Sequence, residues 1–447
     1  MALTSSQKMH QKLSQTLKLL CQKATKLTTD EGVYDVAIVG GGMIGSSLAI
    51  ALSALALKVV VIEPYPQTSE LAPGFDARAI ALSWGSMRIF KSLVLDKLIE
   101  EIATPISSIH VSDKGHLGIT RLKAKQLNVS ALGQVVELAD MGKILFKALA
   151  KTNTKQYCPA KVVEMQLQDG YRGLSIELDC LDSSTKSTLD LKAKLVVAAD
   201  GNQSAIRAMA GIETTSKPYE QVAIISTLES QLAHNNVAFE RFTESGPVAF
   251  LPLSSNRISM VWMVDKTVSE ALLEVDEAEF ISQLQRQFGY RLGRITRLGK
   301  RFSYPLNLVT ANSCTQSRLV LLGNAAQSLH PIAGQGFNLG IRDIACLGDV
   351  LRKALLENID LGSAELLEEY VLSRSSDKSQ VINFTDAAAR LFANPSKLLS
   401  VPRNTALIMM NFIPELRSHL AEAAMGIGGR QSRLVRGLPL TLNRRYN

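Results

Sequence analysis

Gly40, Gly42 and Gly45 stand in the spacing G-x-G-x-x-G, and an acid, Glu63, closes the stretch that begins at Asp35. Residues of these types at this spacing could hold a dinucleotide. The first glycine permits a tight turn, the second lets a pyrophosphate approach the backbone, and the third lets a helix pack close to a strand. The acid then accepts hydrogen bonds from a ribose. Two further constellations lie downstream. Asp200 and Gly201 are followed by Ser204 and Arg207, and a loop running from Gly323 and Asn324 through His330 and Pro331 reaches Gly334, Gln335, Gly336, Phe337 and Asn338. A loop so rich in glycine lets backbone approach a flat polar ring system, and a helix beginning there directs its positive dipole end toward it. His330, taken alone, reads as a structural residue.

These residues need elements to hold them. Apolar runs at 36–39, 59–62, 195–199 and 319–322 read as buried strands, and three of the four empty directly into one of the motifs, with Glu63 at the end of the remaining one. Open α/β sheets bind ligands at the carboxyl ends of their strands, so the motifs should meet along one edge. Arg78 leaves a loop at such an edge and is a candidate phosphate or flavin contact, with a surface salt bridge as the alternative. It leads into an apolar pattern through Ile80, Leu82 and Ile89 read as a helix, and residues 141–149 read as another. From 222 to 308 the pattern changes to alternation. Strands are expected at 247–253 and 257–264, joined by Ser254-Ser255-Asn256, with a helix over 277–288.

The chain has 447 residues, more than one core usually serves, so two associated lobes are expected. No apolar run approaches the ~18 residues a membrane-spanning helix needs. The five cysteines are scattered and form no C-x-x-C pair, which argues against a disulfide framework and a zinc site, and fits a reducing compartment. The net charge of +8 is uneven: residues 1–29 carry +5 and residues 396–447 carry +6, leaving −3 between them. Nucleic acid is therefore not an expected partner of the body. Residues 1–29 place Met9, Leu13, Leu17 and Leu20 at helical spacing among lysines, which suits an anionic membrane surface or simply a solvated end. A cytoplasmic location is expected, with peripheral contact at the inner face of the membrane left open.

The three motifs, in this order, resemble those of the flavoprotein aromatic hydroxylases, the single-component FAD monooxygenases. Gly40, Gly42, Gly45 and Glu63 match the family's ADP-binding pattern, Asp200, Gly201, Ser204 and Arg207 its D-G-x-x-S-x-x-R motif, and Gly323 to Asn338 its third, flavin-side motif. The phrases GFDARAIALS, HVSDKGH, ALGQVVEL, PYEQVAI, AFERFT and LHPIAGQGFNLG resemble the subgroup that hydroxylates 2-polyprenyl-6-methoxyphenol in ubiquinone biosynthesis. The likeness runs from about residue 34 to about residue 425. Asn324 replaces a family Asp and Gln327 a frequent His; Asn still donates and accepts hydrogen bonds, but the charge-assisted bond is lost.

The resemblance implies an α/β, two-lobed fold: a Rossmann-like FAD-binding domain (33–110, 135–215 and 312–395), an interleaved antiparallel-sheet substrate domain (111–134 and 216–311), a basic N-terminal extension (1–32) and a helical, basic C-terminal region (396–447). It implies non-covalent FAD held by Gly40, Gly42, Gly45, Glu63, Arg78, Asp200, Gly201, Asn324, Gly336 and Asn338. NADPH or NADH would act as transient reductant, and a flavin C4a-hydroperoxide formed with O2 would hydroxylate a prenylated phenol. Gly334, Gln335, Gly336 and Phe337 would stabilise the anionic reduced flavin, and Pro331 would shape the peroxide pocket. Two alternatives share the fold: an FAD-dependent prenyl-lipid dehydrogenase or reductase, and a catalytically silent lipid-binding or scaffold subunit among other ubiquinone-biosynthesis proteins. The sequence names no catalytic base.

Overall fold

The computed structural model describes residues 32–66, 78–178, 187–329, 334–393, 409, 421–422, 425–427 and 431–442. Its first lobe is built on an eight-stranded sheet with the order Thr315–Gln316, Leu319–Leu321, Ser187–Ala198, Val33–Val39, Val59–Ile62, Lys155–Tyr157. Five of these strands lie parallel in register, with Val39 beside Ile62 and Ala198, Ala198 beside Leu321, and Ile62 beside Tyr157. The register explains the motifs. Because the parallel strands end level, the glycine turn, Glu63, Asp200 and Gly323 all emerge along one edge.

The runs 36–39, 59–62, 195–198 and 319–321 are apolar because the sheet is covered there on both faces. On one side lie the helices Met43–Leu52 and Gln335–Glu357, whose Leu48, Ile341 and Ile344 are buried against Val36, Ile38 and Val197. On the other lie Tyr34, Ile206, Leu174 and Ile176. The strands Ala160–Gln168 and Tyr171–Leu178 hang antiparallel from Ser187–Ala198, an extension that the sequence patterns did not suggest.

The second lobe is a nine-stranded sheet. Its order is Gln327–Ser328, Phe302–Ala311, Thr214–Ser230, Arg257–Asp265, Val248–Pro252, Val237–Phe242, Ser108–Asp113, Ile119–Lys123, with Ile295–Leu298 also paired to Thr214–Ser230. One face packs on the helix Glu277–Phe288, where Phe250 stacks on Phe288 at 3.8 Å between ring centroids and Trp262 meets Phe280 edge-on at 5.5 Å. The expected hairpin forms as read, with Ser255 and Asn256 both at positive φ in its turn. Gln327–Ser328 pairs with Val309 and Thr310, so the third motif is stitched into this sheet.

A three-stranded sheet, Ala79–Ser83, Gly133–Glu137 and Thr104–Ile106, lies outside both. Here one reading is corrected. Ile80 and Leu82 belong to a strand, paired with Val136 and Gln134, and only from Trp84 does a helix run, to Ser92. The two residues alternate, which is the period of a strand. Residues 1–31 of the N-terminal extension lie outside the described residues, as do Pro331 and His330. In the basic C-terminal region, residues 431–442 are not a free end: Leu434, Val435 and Leu440 are buried in the core of the first lobe, and Arg88 donates to the Val435 carbonyl at 2.5 Å. Among the described residues, no helix is long and apolar enough to cross a membrane.

Candidate functional site

The edge where the motifs emerge opens into a cavity of about 2040 Å³ that runs between the two sheets. Pockets for a single small molecule occupy roughly 300–1,000 Å³, so this one has room for a large cofactor and a second ligand. Gly42, Asp200, Gly201, Asn324, Gly334, Gln335, Gly336, Phe337 and Asn338 border it, as does Arg78. All three motifs therefore meet in one place, although they are spread over nearly the whole first lobe.

The glycines divide by what an added Cβ would meet. At Gly40 it would lie 2.4 Å from the Ala199 carbonyl oxygen, and at Gly45 1.8 Å from the Gly40 oxygen, so these two let backbone pack on backbone. At Gly42, Gly201 and Gly336 nothing of the protein lies within 4 Å. One such glycine comes from each motif, and each borders the cavity, which fits a flat or phosphate-bearing group lying against bare backbone. Two buried oxygens complete the cradle. Asp200 Oδ2 accepts from the Ile206 backbone N–H at 3.1 Å, while its Oδ1 has no partner, and Gln335 Oε1 is likewise unpartnered. A buried polar atom without a partner is costly, so these oxygens fit a ligand that donates hydrogen bonds.

Glu63 sits on the glycine turn itself. Its Oε2 accepts from the Gly41 N–H at 2.5 Å and its Oε1 from the Tyr65 N–H at 3.0 Å. Burial raises the pKa of this carboxyl, against the pull of those two N–H groups. Arg78 stacks its guanidinium over the Tyr304 ring at 5.0 Å, joining the three-stranded sheet to the nine-stranded one at the cavity wall. Asn324 is exposed at the border.

Asn338 differs from its expected role. Its Oδ1 accepts from Ser83 N–H at 2.8 Å and Ser86 Oγ at 2.7 Å, and its Nδ2 donates to the carbonyls of Ala81 and Gly334 at 2.8 and 2.9 Å. The amide's hydrogen-bonding capacity is filled within the protein, so it fixes the helix start at Gly334 to the neighbouring strand rather than reaching a cofactor. Arg207 acts similarly, donating to the carbonyls of Ala325 and Asn202 and thereby tying the second motif to the third.

A family model described as an FAD binding domain matches residues 33–385. The chain belongs to the FAD-dependent aromatic hydroxylase family. Among this family, ubiquinone hydroxylase UbiL of Rhodospirillum rubrum is 34% identical over 415 residues, covering 91% of this chain and 94% of that protein. The 3-demethoxyubiquinol 3-hydroxylase of Escherichia coli is 30% identical over 398 residues, covering 88% and 98%. Among solved structures, p-nitrophenol 4-monooxygenase PnpA of Pseudomonas putida superposes with a TM-score of 0.73 at 18% identity, covering 91% of this chain and all of that one, a likeness of fold. FAD is the cofactor of this family, and the cradle of bare glycines and orphaned oxygens fits it.

The partners of Gln327, the buried Asp343 and a third feature went unread in the sequence. Gln327, in place of a frequent His, is buried and donates to Asp343 Oδ2 at 3.3 Å. Asp343, fully buried on the helix that starts at the flavin-side loop, also accepts from Arg374 Nε at 2.6 Å and faces Lys378 Nζ at 3.3 Å. Burial opposes its ionisation, but Lys378 and Arg374 outweigh that and hold the carboxyl below its ordinary range. Arg374 and Arg342 share Asp377 as well, which locks the helix Ala364–Ala393 onto the cofactor lobe. The third feature is Glu240, on the cavity face of the nine-stranded sheet, whose pKa is pushed up to about 7 by burial. A signal existed for it: Ala238, Glu240 and Phe242 share one face of an alternating strand, and a lone acid there interrupts an apolar stripe. Among the described residues no cluster of potential metal ligands occurs.

Proposed function

We propose that this chain hydroxylates the aromatic ring of a prenylated phenol of the 2-polyprenyl-6-methoxyphenol type in ubiquinone biosynthesis, with O2 as co-substrate and NADPH or NADH as reductant. The observation that carries this reading is the continuity of one cavity from the three motifs to an apolar sheet face formed by Ile109, Leu122, Ala223, Ile225, Leu251 and Val261. Such a wall suits a ring with an apolar chain, and the names of the relatives, ubiquinone hydroxylase and 3-demethoxyubiquinol 3-hydroxylase, agree with it. Bound FAD supplies the activation of O2 and the transfer of one oxygen atom to the ring.

The protein's share is placement and electrostatics. Gly40 to Gly45 and Glu63 would hold the ADP half, and Asp200, Gly201 and Asn324 the linking portion. The N–H groups at Gln335 to Phe337, at the start of a 23-residue helix, would stabilise negative charge on the ring system, because a helix N-terminus carries unpaired donors and positive potential. The apolar sheet face would exclude water, which strengthens those interactions and protects reactive species. Val381, Phe384 and Ala387 border the cavity from the helix Ala364–Ala393, and Phe384 is 48% exposed. A cavity edged by apolar residues that reach the surface suits a prenyl chain too long to enclose. The lysine-rich residues 1–29 would bring the protein to the anionic membrane surface where such a lipid resides.

The test is phenol-dependent O2 uptake by the yellow, FAD-loaded protein with NADPH. A dehydrogenase or reductase would turn over without O2, and a silent subunit would do neither.

A further inference from the structure

A single row of the nine-stranded sheet crosses the cavity wall: Thr120, Val111, Glu240, Ala249, Val261 and Ile225, each paired with the next. All six border the cavity, and Glu240 is the only ionisable one. Along its own strand, Glu240 lies between Ala238 and Phe242 on the same face, both buried and both at the cavity. Its carboxyl oxygen Oε1 is fully covered and has no hydrogen-bond partner among the described residues. Among the described residues no charged neighbour pairs with it, and burial pushes its pKa up to about 7.

An uncompensated carboxyl in an apolar wall destabilises the fold, and Leu or Gln would fit the strand at lower cost. Glu240 is half-buried and borders the cavity, so it is from the cavity that a donor would reach its carboxyl. A ligand that carried a carboxylate would be repelled, whereas a neutral ring bearing a hydroxyl offers a donor of the right kind on an otherwise apolar body. Resting on the hydroxylase reading of the cavity, we propose that Glu240 anchors the ring hydroxyl of the phenolic substrate and so determines both the orientation of the ring and the preference for a neutral phenol. The carboxyl accepts the hydroxyl's hydrogen bond, while Val111 and Ala249 beside it leave the ring room to lie against the sheet.

The test uses the FAD-loaded full chain and two probes, 2-methoxy-6-geranylphenol and its O-methyl ether, with binding read from the perturbation of flavin absorbance. The native protein should bind the phenol about ten- to hundredfold more tightly than the ether, the span expected for a hydrogen bond to a charged group. Glu240→Leu should bind both probes alike, and should form more peroxide and less hydroxylated product per NADPH consumed. Glu240→Gln, whose neutral amide oxygen still accepts, should retain a smaller preference of about two- to tenfold. A merely structural glutamate would show the reverse pattern, with Glu240→Leu lowering the melting temperature and leaving the preference intact; on this account its melting temperature is unchanged or higher. If Glu240→Leu keeps the native preference while the native protein hydroxylates the phenol, the anchor is overturned and the hydroxylase reading survives. If the native protein binds neither probe, both fall together.

Discussion

Gly42 and Gly336 have backbones that any residue could adopt and no protein atom within 4 Å of an added Cβ, whereas Gly45 has a carbonyl oxygen at 1.8 Å. That contrast separates binding from folding. Gly42→Val should leave the stability of the cofactor-free protein within about 0.5 kcal/mol of native, as for a substitution that touches nothing, and yet yield protein without FAD. Gly336→Val should retain the ADP half of the cofactor but lower hydroxylation by roughly 10²-fold or more, by disturbing the donors beside the flavin ring. Absorbance of the purified protein and calorimetry of its cofactor-free form check both; full FAD occupancy in Gly42→Val would remove this stretch from the site. At this scale the sequence was legible where the constraint is local. A glycine turn and the acid after the next strand reveal themselves by spacing. Asn338 shows the opposite case, because its partners Ser83 and Ser86 lie some 250 residues away in sequence and nothing local distinguishes a clamp from a ligand contact.

Between elements, the buried group of Asp343, Arg374, Asp377 and Lys378 joins the helix of the flavin-side loop to the helix Ala364–Ala393. Removing one member leaves charges buried without their partner, so Asp343→Ala should destabilise the protein by about 3–5 kcal/mol. The pH dependence follows from the depressed carboxyl of Asp343. With the folded pKa below the unfolded one, near ~3.9, its contribution is present above that value and is lost as pH falls through the lower, folded one. Chemical denaturation from pH 7 to pH 3 should therefore show native and Asp343→Ala converging at the acid end; a constant difference would contradict the linkage. The strands and the helix Glu277–Phe288 were readable because period and turn residues agree there. Ile80 and Leu82 were misread as helical because a true helix follows from Trp84; their alternation is that of a strand, which the pairing with Gly133–Glu137 bears out.

At the scale of the molecule, two lobes were expected, and the chain passes between the sheets several times. Ser108–Asp113 belongs to the nine-stranded sheet and Gly133–Glu137 to the three-stranded one, and each strand stays within one sheet, so the crossings fall in the segments between strands. The basic ends also part company. Residues 431–442 are docked on the first lobe, which leaves residues 1–29 as the stronger candidate for membrane contact. Their five lysines, at about 1 kcal/mol each near an anionic surface, should hold the protein on acidic liposomes at low salt and release it near 1 M, where the Debye length is ~3 Å. Flotation unchanged by deletion of residues 1–29 would leave that segment without this role. The central claim, that this cavity runs an FAD-dependent ring hydroxylation, meets its most direct test in one measurement: turnover of 2-methoxy-6-geranylphenol with NADPH under 18O-labelled O2, followed by mass spectrometry of the product. The account predicts one labelled oxygen atom on the ring for each NADPH consumed in coupled turnover. An unlabelled product, or NADPH oxidation that reduces a quinone with no uptake of O2, would contradict it.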